Sequence, residues 1–520
     1  MKMSTVNANL GEGSQMSTAP VVDQPAGFKG NDKLLLGLVL ALLTFWLFAA
    51  SMGTVAPAIM ADINKNGSFI SAAGMNLAVS ITSLISGLLI VLMGGLADRL
   101  GRVKIALIGT LAGIVGSIFL LFAAGSLALP FLVIGRAIQG FSAACIMPST
   151  LAIVKAYWDG AARQRAVSMW SIGTWGGSGM AAIFGGSVVQ FIGWKGLFIA
   201  HILLCVAAFL LIRPTPETKV ENAKPHRFDF VGLALFILAT LTLMIVVLFG
   251  AKLGWTSPTV LSLLAVSVVS WVAFIVFERK QATPFIDFAL FKNKTFTGAT
   301  LSNFLLNCSI GTLIVSQQLL QLGMLKADGS KYTAFEASLL TIGYAVCIIA
   351  FIRVGEKLLQ KFGPRKPMMW GICVVFAVSV MFMQTYMLSG PYRILAIVAY
   401  CLFGIGLAFY ATPSTEAALS NLPPEQSGAG AGIYKMASSL GAAVGTAVSL
   451  TVFTAVATTG ALWLAEIIPF SGEAKNIAVR EAGMLTFAVN GILLLLALAS
   501  VIITVPKTSR EELETAKSAQ

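Results

Sequence analysis

Residues Gly94 to Lys104 read GGLADRLGRVK, and this short stretch decides how the whole chain is read. The 24 residues before it, 70–93, carry no charge, and neither do the 20 after it, 105–124. A helix that crosses a bilayer needs about 20 mainly apolar residues. Eleven residues with three glycines, one acid and three bases therefore form a tight polar turn between two membrane spans. Glycines at 94, 95 and 101 permit the reversal. Asp98 closes the first span beside Arg99 and Arg102, where an acid among arginines makes a charge-assisted latch. A plainer reading is that the arginines only set topology.

Composition extends this reading to the whole chain. Hydrophobic residues make up 57% of the 520 and charged residues 11%, against about 25% charged in soluble domains. The fold class is an all-α integral membrane protein. Fourteen apolar runs of spanning length follow one another: 34–57, 70–93, 105–124, 129–154, 168–189, 197–212, 230–250, 259–277, 296–322, 334–353, 368–388, 394–416, 428–458 and 482–505. An even count puts both termini on one side, expected to be the cytoplasm. On that assignment the inner segments hold 25 of the 35 lysines and arginines and the outer loops hold 8; Arg136 and Lys435 lie inside spans. The bias obeys the positive-inside rule and accounts for the net charge of +13 without nucleic acid as a partner.

The expected layout is six spans, two, then six. A disordered cytoplasmic tail (1–33) lacks the apolar core of a signal peptide and precedes a six-helix bundle (34–212). A cytoplasmic linker with three prolines (213–229), a two-helix insert (230–277) and a connector (278–295) follow. A second six-helix bundle (296–505) and a cytoplasmic tail (506–520) complete the chain. The six cysteines sit in apolar runs with no C-x-x-C pair and read as small buried hydrophobes. His201 and His226 make neither a metal nor an acid/base site, so an enzyme is not expected.

The two sets of six look alike. Gly101 in the first turn matches Gly363 in GEKLLQKFGPRK, 262 residues on. MPSTLA at Met147–Ala152 matches TPSTEA at Thr412–Ala417, 265 residues on. Parallel repeats of six spans are a transporter signature, with the substrate site between them at the midplane.

Gly94, Leu96, Ala97, Asp98, Arg99, Gly101, Arg102 and Lys104 together resemble the loop 2–3 signature of the major facilitator superfamily. Arg136, Gln139 and Gly140 match its R-x-x-Q-G motif in span 4. Pro284, Asp287, Leu290 and Phe291, with GWKGLF at 193–198 and the two-helix insert, resemble the fourteen-helix drug:proton antiporter branch. TFWLF at 44–48 and WSIGTWGGSG at 170–179 look closest to its Nor-type quinolone and multidrug exporters. The resemblance covers about residues 34–505. Two departures stand out. Ala181 and Ala182 occupy the Gly-Pro positions of the exporters' span 5 block, and Phe48 stands where the branch often carries an aspartate.

The resemblance implies a cytoplasmic gate at Gly94, Asp98, Arg99, Gly101 and Arg102, and a part in proton coupling for Arg136. As an intramembrane cation Arg136 is by default a functional candidate, with structural bonding to backbone carbonyls as the other reading. Glu416 and Lys435 lie seven and nine residues from the turn near 423–426. They are thus at similar depth and expected to face each other. Glu416 then acts as a proton carrier, as a static partner of Lys435, or is simply exposed to solvent at a wide cytoplasmic mouth. Trp46, Phe48, Trp175 and Tyr410 offer aromatic faces for planar or cationic drugs. Asn303, Asn307 and Gln317 are amides that need partners in a membrane helix. The expected function is proton-coupled efflux of amphipathic or cationic drugs from a bacterial cell membrane. The expected transporter is a monomer with no cofactor but the proton gradient. A dedicated carrier of one metabolite stays open as an alternative, and a non-transporting sensor or scaffold as a remote one.

Overall fold

A computed structural model describes residues 22–23, 28–65, 69–158, 160–220, 229–281, 284, 286, 288–326, 328–419, 422, 424–459, 463–471 and 476–507. The fourteen expected spans are fourteen helices. In the first half these are α1 (Asp32–Lys65), α2 (Ala72–Leu100), α3 (Arg102–Leu121), α4 (Ala128–Tyr157), α5 (Gly160–Phe191) and α6 (Lys195–Ile212). The pair α7 (Phe230–Leu253) and α8 (Pro258–Glu278) follows. In the second half, α9 is Lys294–Cys308 continued by Ile310–Leu322, and α10 is Ala334–Leu339 continued by Ile342–Phe362. The chain ends with α11 (Arg365–Phe382), α12 (Ser389–Leu419), α13 (Pro424–Thr459) and α14 (Ile477–Thr504). Thirteen of these are long and apolar enough to cross a bilayer by composition alone; α5, rich in glycine and serine, is the other.

The turn that opened the reading is tighter than expected. Helix α2 runs through Gly94 and Gly95 to Leu100, and α3 begins at Arg102, so the reversal rests on Gly101 with φ at 120°. Gly363, its repeat partner, has φ at 69°. Both backbones lie where L side chains are strained. The repeat also extends to packing. A methyl on Gly116 or Gly135 would meet the other's carbonyl oxygen at 2.8 or 2.7 Å, joining α3 to α4. Gly371 and Gly406 join α11 to α12 in the same way, at 2.6 and 2.9 Å. Close helix approach at small residues replaces the hydrophobic drive that lipid removes.

The halves meet crosswise. Helix α2 packs along α13, and α5 packs along α10. In the repeat α10 corresponds to α2 and α13 to α5, so one contact is the counterpart of the other. Helices α7 and α8 pack mainly on each other, and α7 also touches α2 and α13 beside that seam.

The linker and tail depart from expectation. Glu217, three residues after Pro214, accepts hydrogen bonds at 2.9 Å from the N–H groups of Val103, Lys104 and Thr218. It thereby satisfies the open N-terminus of α3, where a carboxylate is favoured by both hydrogen bonding and the helix dipole. Strands Val22–Asp23 and Lys219–Val220 pair antiparallel. Phe28 stacks edge-on against Tyr157 at 4.9 Å, and Gly30 donates to the Tyr157 carbonyl. Of residues 1–33, Val22–Asp23 thus contact the linker, and Phe28 and Gly30 contact the end of α4. Asp287 and His226 lie outside the described residues. Replacing Glu217 with Ala leaves the α3 N–H groups open and should lower stability by about 1–2 kcal/mol. Thermal unfolding and tryptic cleavage of the linker measure this.

Candidate functional site

Two adjacent spaces lie between the halves. The central pocket is lined by Trp46 of α1, Trp175 and Ser178 of α5, Asn303, Asn307 and Ser309 of α9, Tyr344 of α10, Tyr410 of α12 and Tyr434 of α13. Five of the seven expected substrate residues thus converge from four helices. A cavity of about 430 Å³ adjoins it toward the end of the bundle that holds the α2–α3 turn. Trp46 lines both spaces. Ile90, Val91, Met147, Leu151 and Trp170 make the cavity apolar, while Asp98, Arg102, Lys155 and Lys435 supply its charges.

The pocket is rigid on its C-terminal side. Asn303 Nδ2 donates to Ser438 Oγ at 2.6 Å and to the Tyr434 carbonyl at 3.1 Å. Asn307 Nδ2 donates to the Asn303 carbonyl at 2.7 Å and to its Oδ1 at 3.0 Å. Tyr410 shares a bond with Ser302, and Tyr434 one with Ser414, each at 2.7 Å. The amides tie α9 to α13 and fix the pocket wall. Trp46 Nε1 and Ser309 Oγ, both buried, have no partner. Buried donors rarely stay unpaired, so these two mark where a ligand or water completes the pocket.

Phe48 and Gln317 line neither space. Phe48 is two residues past Trp46, about 200° around the helix, and packs edge-on against Phe184 at 5.2 Å and His201 at 4.8 Å. Gln317 Nε2 donates to Tyr400 Oη at 2.7 Å within the second half. Ten residues beyond Asn307, it has turned about 80° off the Asn303–Asn307 stripe.

The three residues expected to couple protons are not together. Arg136 is 1% exposed. It donates to Gln139 Oε1 at 2.9 Å, to the Ala78 carbonyl at 3.2 Å and to the Ala49 carbonyl at 3.5 Å. Gln139 Nε2 donates onward to Ser117 Oγ at 2.9 Å. Ser117 lies 2.8 Å from His201 Nδ1, and His201 Nε2 lies 3.0 Å from the Thr44 carbonyl. Since a carbonyl only accepts, the neutral imidazole carries its proton on Nε2 and accepts from Ser117. The chain links α1, α2, α3, α4 and α6 without reaching the second half. Sequence reading set His201 aside because its partners are far apart in the chain.

Glu416 and Lys435 form no ion pair, which corrects the expected opposition. Ser414, bonded to Tyr434, occupies the α12–α13 seam, and Glu416 lies two residues and about 200° away, where it is exposed. Lys435 turns instead across the interface, with its ammonium 5.7 Å from the Trp170 ring centroid. The expected gate is held within the first half: Arg102 contacts Asp98 Oδ1 through Nε at 2.9 Å and Nη2 at 2.8 Å. Gly94 packs on Pro148, a Cβ there meeting it at 3.4 Å.

Three hydrogen bonds join the halves toward the far end of the interface. Gln318 Nε2 donates to the Gly53 carbonyl at 3.2 Å, and Gln321 Nε2 to the Thr54 carbonyl at 2.9 Å. Asn76 Nδ2 donates to Thr454 Oγ1 at 3.2 Å. These bonds lie between the central pocket and a further space of about 370 Å³ lined by Pro57, Gly186, Gln321 and Phe335 at that end.

Comparison with known proteins agrees with this geometry. The sequence profile of the Major Facilitator Superfamily matches residues 34–446. The chain is 46% identical over 445 residues to the quinolone resistance protein NorB of Staphylococcus aureus strain MRSA252, covering 84% of this chain and 93% of that protein. The protein of the same name from strain JH9 matches equally. Among solved structures, a D-xylose–proton symporter superposes with a TM-score of 0.62 at 15% identity, covering 91% of this chain and 98% of that one. An auto-inhibited POT family peptide transporter gives 0.63 at 16%, covering 92% and 97%. These two bear on the fold alone.

Proposed function

The chain belongs to the major facilitator superfamily, and from that premise we propose that it exports amphipathic drugs in exchange for protons. The observation that carries this reading is the aromatic and amide-lined pocket between the halves, which shares Trp46 as a wall with the cavity beside the α2–α3 turn. A wide apolar cavity accepts many shapes, while the few fixed polar groups orient them. The quinolone resistance proteins, alike over most of both chains, support the substrate class.

In this reading both termini and the α2–α3 turn face the cytoplasm, and drug enters the cavity from that side or from the inner leaflet. Rocking the halves about the α2–α13 and α5–α10 seams breaks the Gln318 and Gln321 bonds and opens the far side. Asp98 exchanges its bond with Arg102 for contacts across the interface as the near side closes. One monomer suffices, because each half supplies walls to the same pocket.

Protons need an acid that water reaches from at least one side. Among the described residues, Asp98 lines the cavity and Glu416 is exposed near the end of α12. Glu416→Gln is expected to cut export driven by a pH gradient in proteoliposomes at least about tenfold, the usual scale for losing a positioned proton-transfer group. Binding of drug at fixed pH should change far less. If the Gln protein exports at the full rate, the coupling acid is not Glu416, and Asp98→Asn becomes the deciding variant.

A further inference from the structure

Arg102, Lys155 and Lys435 line the cavity. Among the described residues Asp98 is the one carboxylate that lines it, and Arg102 already holds it at 2.8 Å. Lys155 sits exposed at the rim. Lys435 is half-buried, and among the described residues no carboxylate pairs with its ammonium; Trp170 is the group beneath it. The central pocket adds no charge of either sign. Its unpartnered Trp46 Nε1 is a donor only. A lysine kept partly dry without a counter-ion is costly in a membrane protein unless a partner arrives.

We infer that Lys435 binds the carboxylate of a planar aromatic acid, whose ring lies in the cavity against Trp170 and Trp46. This inference rests on the export reading and narrows its substrate class. The ring buries apolar area among Ile90, Val91, Met147 and Leu151, while the carboxylate supplies the charge that Lys435 lacks. The indole N–H of Trp46 adds a second donor at the boundary of the two spaces. A lipophilic cation meets the reverse situation: repulsion from Lys435, and one carboxylate already engaged. The cavity therefore selects acids or zwitterions over simple cations, against the cationic substrates expected from aromatic content alone.

The test uses the purified full chain in phosphatidylcholine nanodiscs, which present no competing lipid of net negative charge. Calorimetry compares nalidixic acid, which is planar and lacks a basic amine, with its ethyl ester. The wild type is expected to bind the acid at least about tenfold more tightly than the ester. Lys435→Gln should abolish that preference, Lys435→Arg should keep most of it, and Lys435→Glu should turn it toward tetraphenylphosphonium. A preference that survives in Lys435→Gln overturns the assignment. So does absence of nalidixate binding to the wild type, a measurement that needs no variant to fold. Nalidixate binding with the expected Lys435 dependence, but no export from proteoliposomes, leaves this site standing and removes the export reading. Export of tetraphenylphosphonium without nalidixate binding does the opposite.

Discussion

Arg136→Lys should cut drug export at least about tenfold although the charge is kept. The guanidinium reaches three acceptors at once: Gln139 on its own helix, the Ala78 carbonyl of α2 and the Ala49 carbonyl of α1. One lysine ammonium on a flexible stem cannot hold that fork. At least one acceptor in a site 1% exposed then goes unbonded, at about 1–3 kcal/mol each. The damage propagates, because Gln139 holds Ser117 and Ser117 holds His201. His201 in turn braces α6 against the Thr44 carbonyl, two residues from Trp46 in the pocket. Transport assays should therefore fall more steeply than the unfolding temperature. Arg136→Lys with unaltered export would mean that the fork does not position α1. A melting curve alongside separates lost positioning from lost fold.

Gly445→Val should leave little folded protein. A Cβ on Gly445 would lie on the backbone of Cys308, and one on Gly441 on the carbonyl of Phe304. From the other side, a Cβ on Gly311 would meet the Gly445 carbonyl at 2.5 Å. These glycines let α13 run against α9 where α9 breaks at Ser309. The obstacle is main chain on both sides, which no rotamer change relieves. Overpacking of flexible side chains costs about 1–3 kcal/mol, and a clash with backbone should exceed that. The same contact positions Asn303 and Asn307 against α13. Monodisperse yield from detergent should collapse for Val and drop for Ala. Normal yield and binding for Gly445→Val would show that α9 and α13 are not in close contact during function.

Much of the site was legible because it lies at fixed offsets along single helices. Of the amides expected on α9, Asn303 and Asn307 are one helical turn apart, share a face and both line the central pocket, whereas Gln317 does not. Trp46, Trp175 and Tyr410 carry no such internal check; they converge because three helices cross at one depth. Phe48 failed for a reason visible in the helical period, being on the opposite side of α1 from Trp46. Glu416 and Lys435 failed otherwise. Depth is readable from a count of residues, but azimuth is not when the hairpin's facing residues, Ser414 and Tyr434, are unknown. Glu217 went unnoticed because an acid in a polar linker looks ordinary until the α3 N-terminus is placed beside it.

The sequence by itself determined that this is a membrane protein of fourteen spans, two repeats of six around an inserted pair, and it located the first reversal within Gly94–Lys104. Those facts depend on local quantities: apolar run length, charge spacing and a glycine where the backbone turns. It also placed Arg136 inside the membrane, where a cation must be answered by acceptors. Only the tertiary structure decided which acceptors, that Lys435 turns to Trp170 rather than to Glu416, and that Asp98 in the cavity is already engaged by Arg102. Those facts depend on rotation about helix axes and on which helices of the opposite half lie alongside. A repeat in one dimension specifies that the halves match, but their contact is made between non-equivalent helices, α2 with α13 and α5 with α10. The chemistry at that contact exists only once both halves are packed.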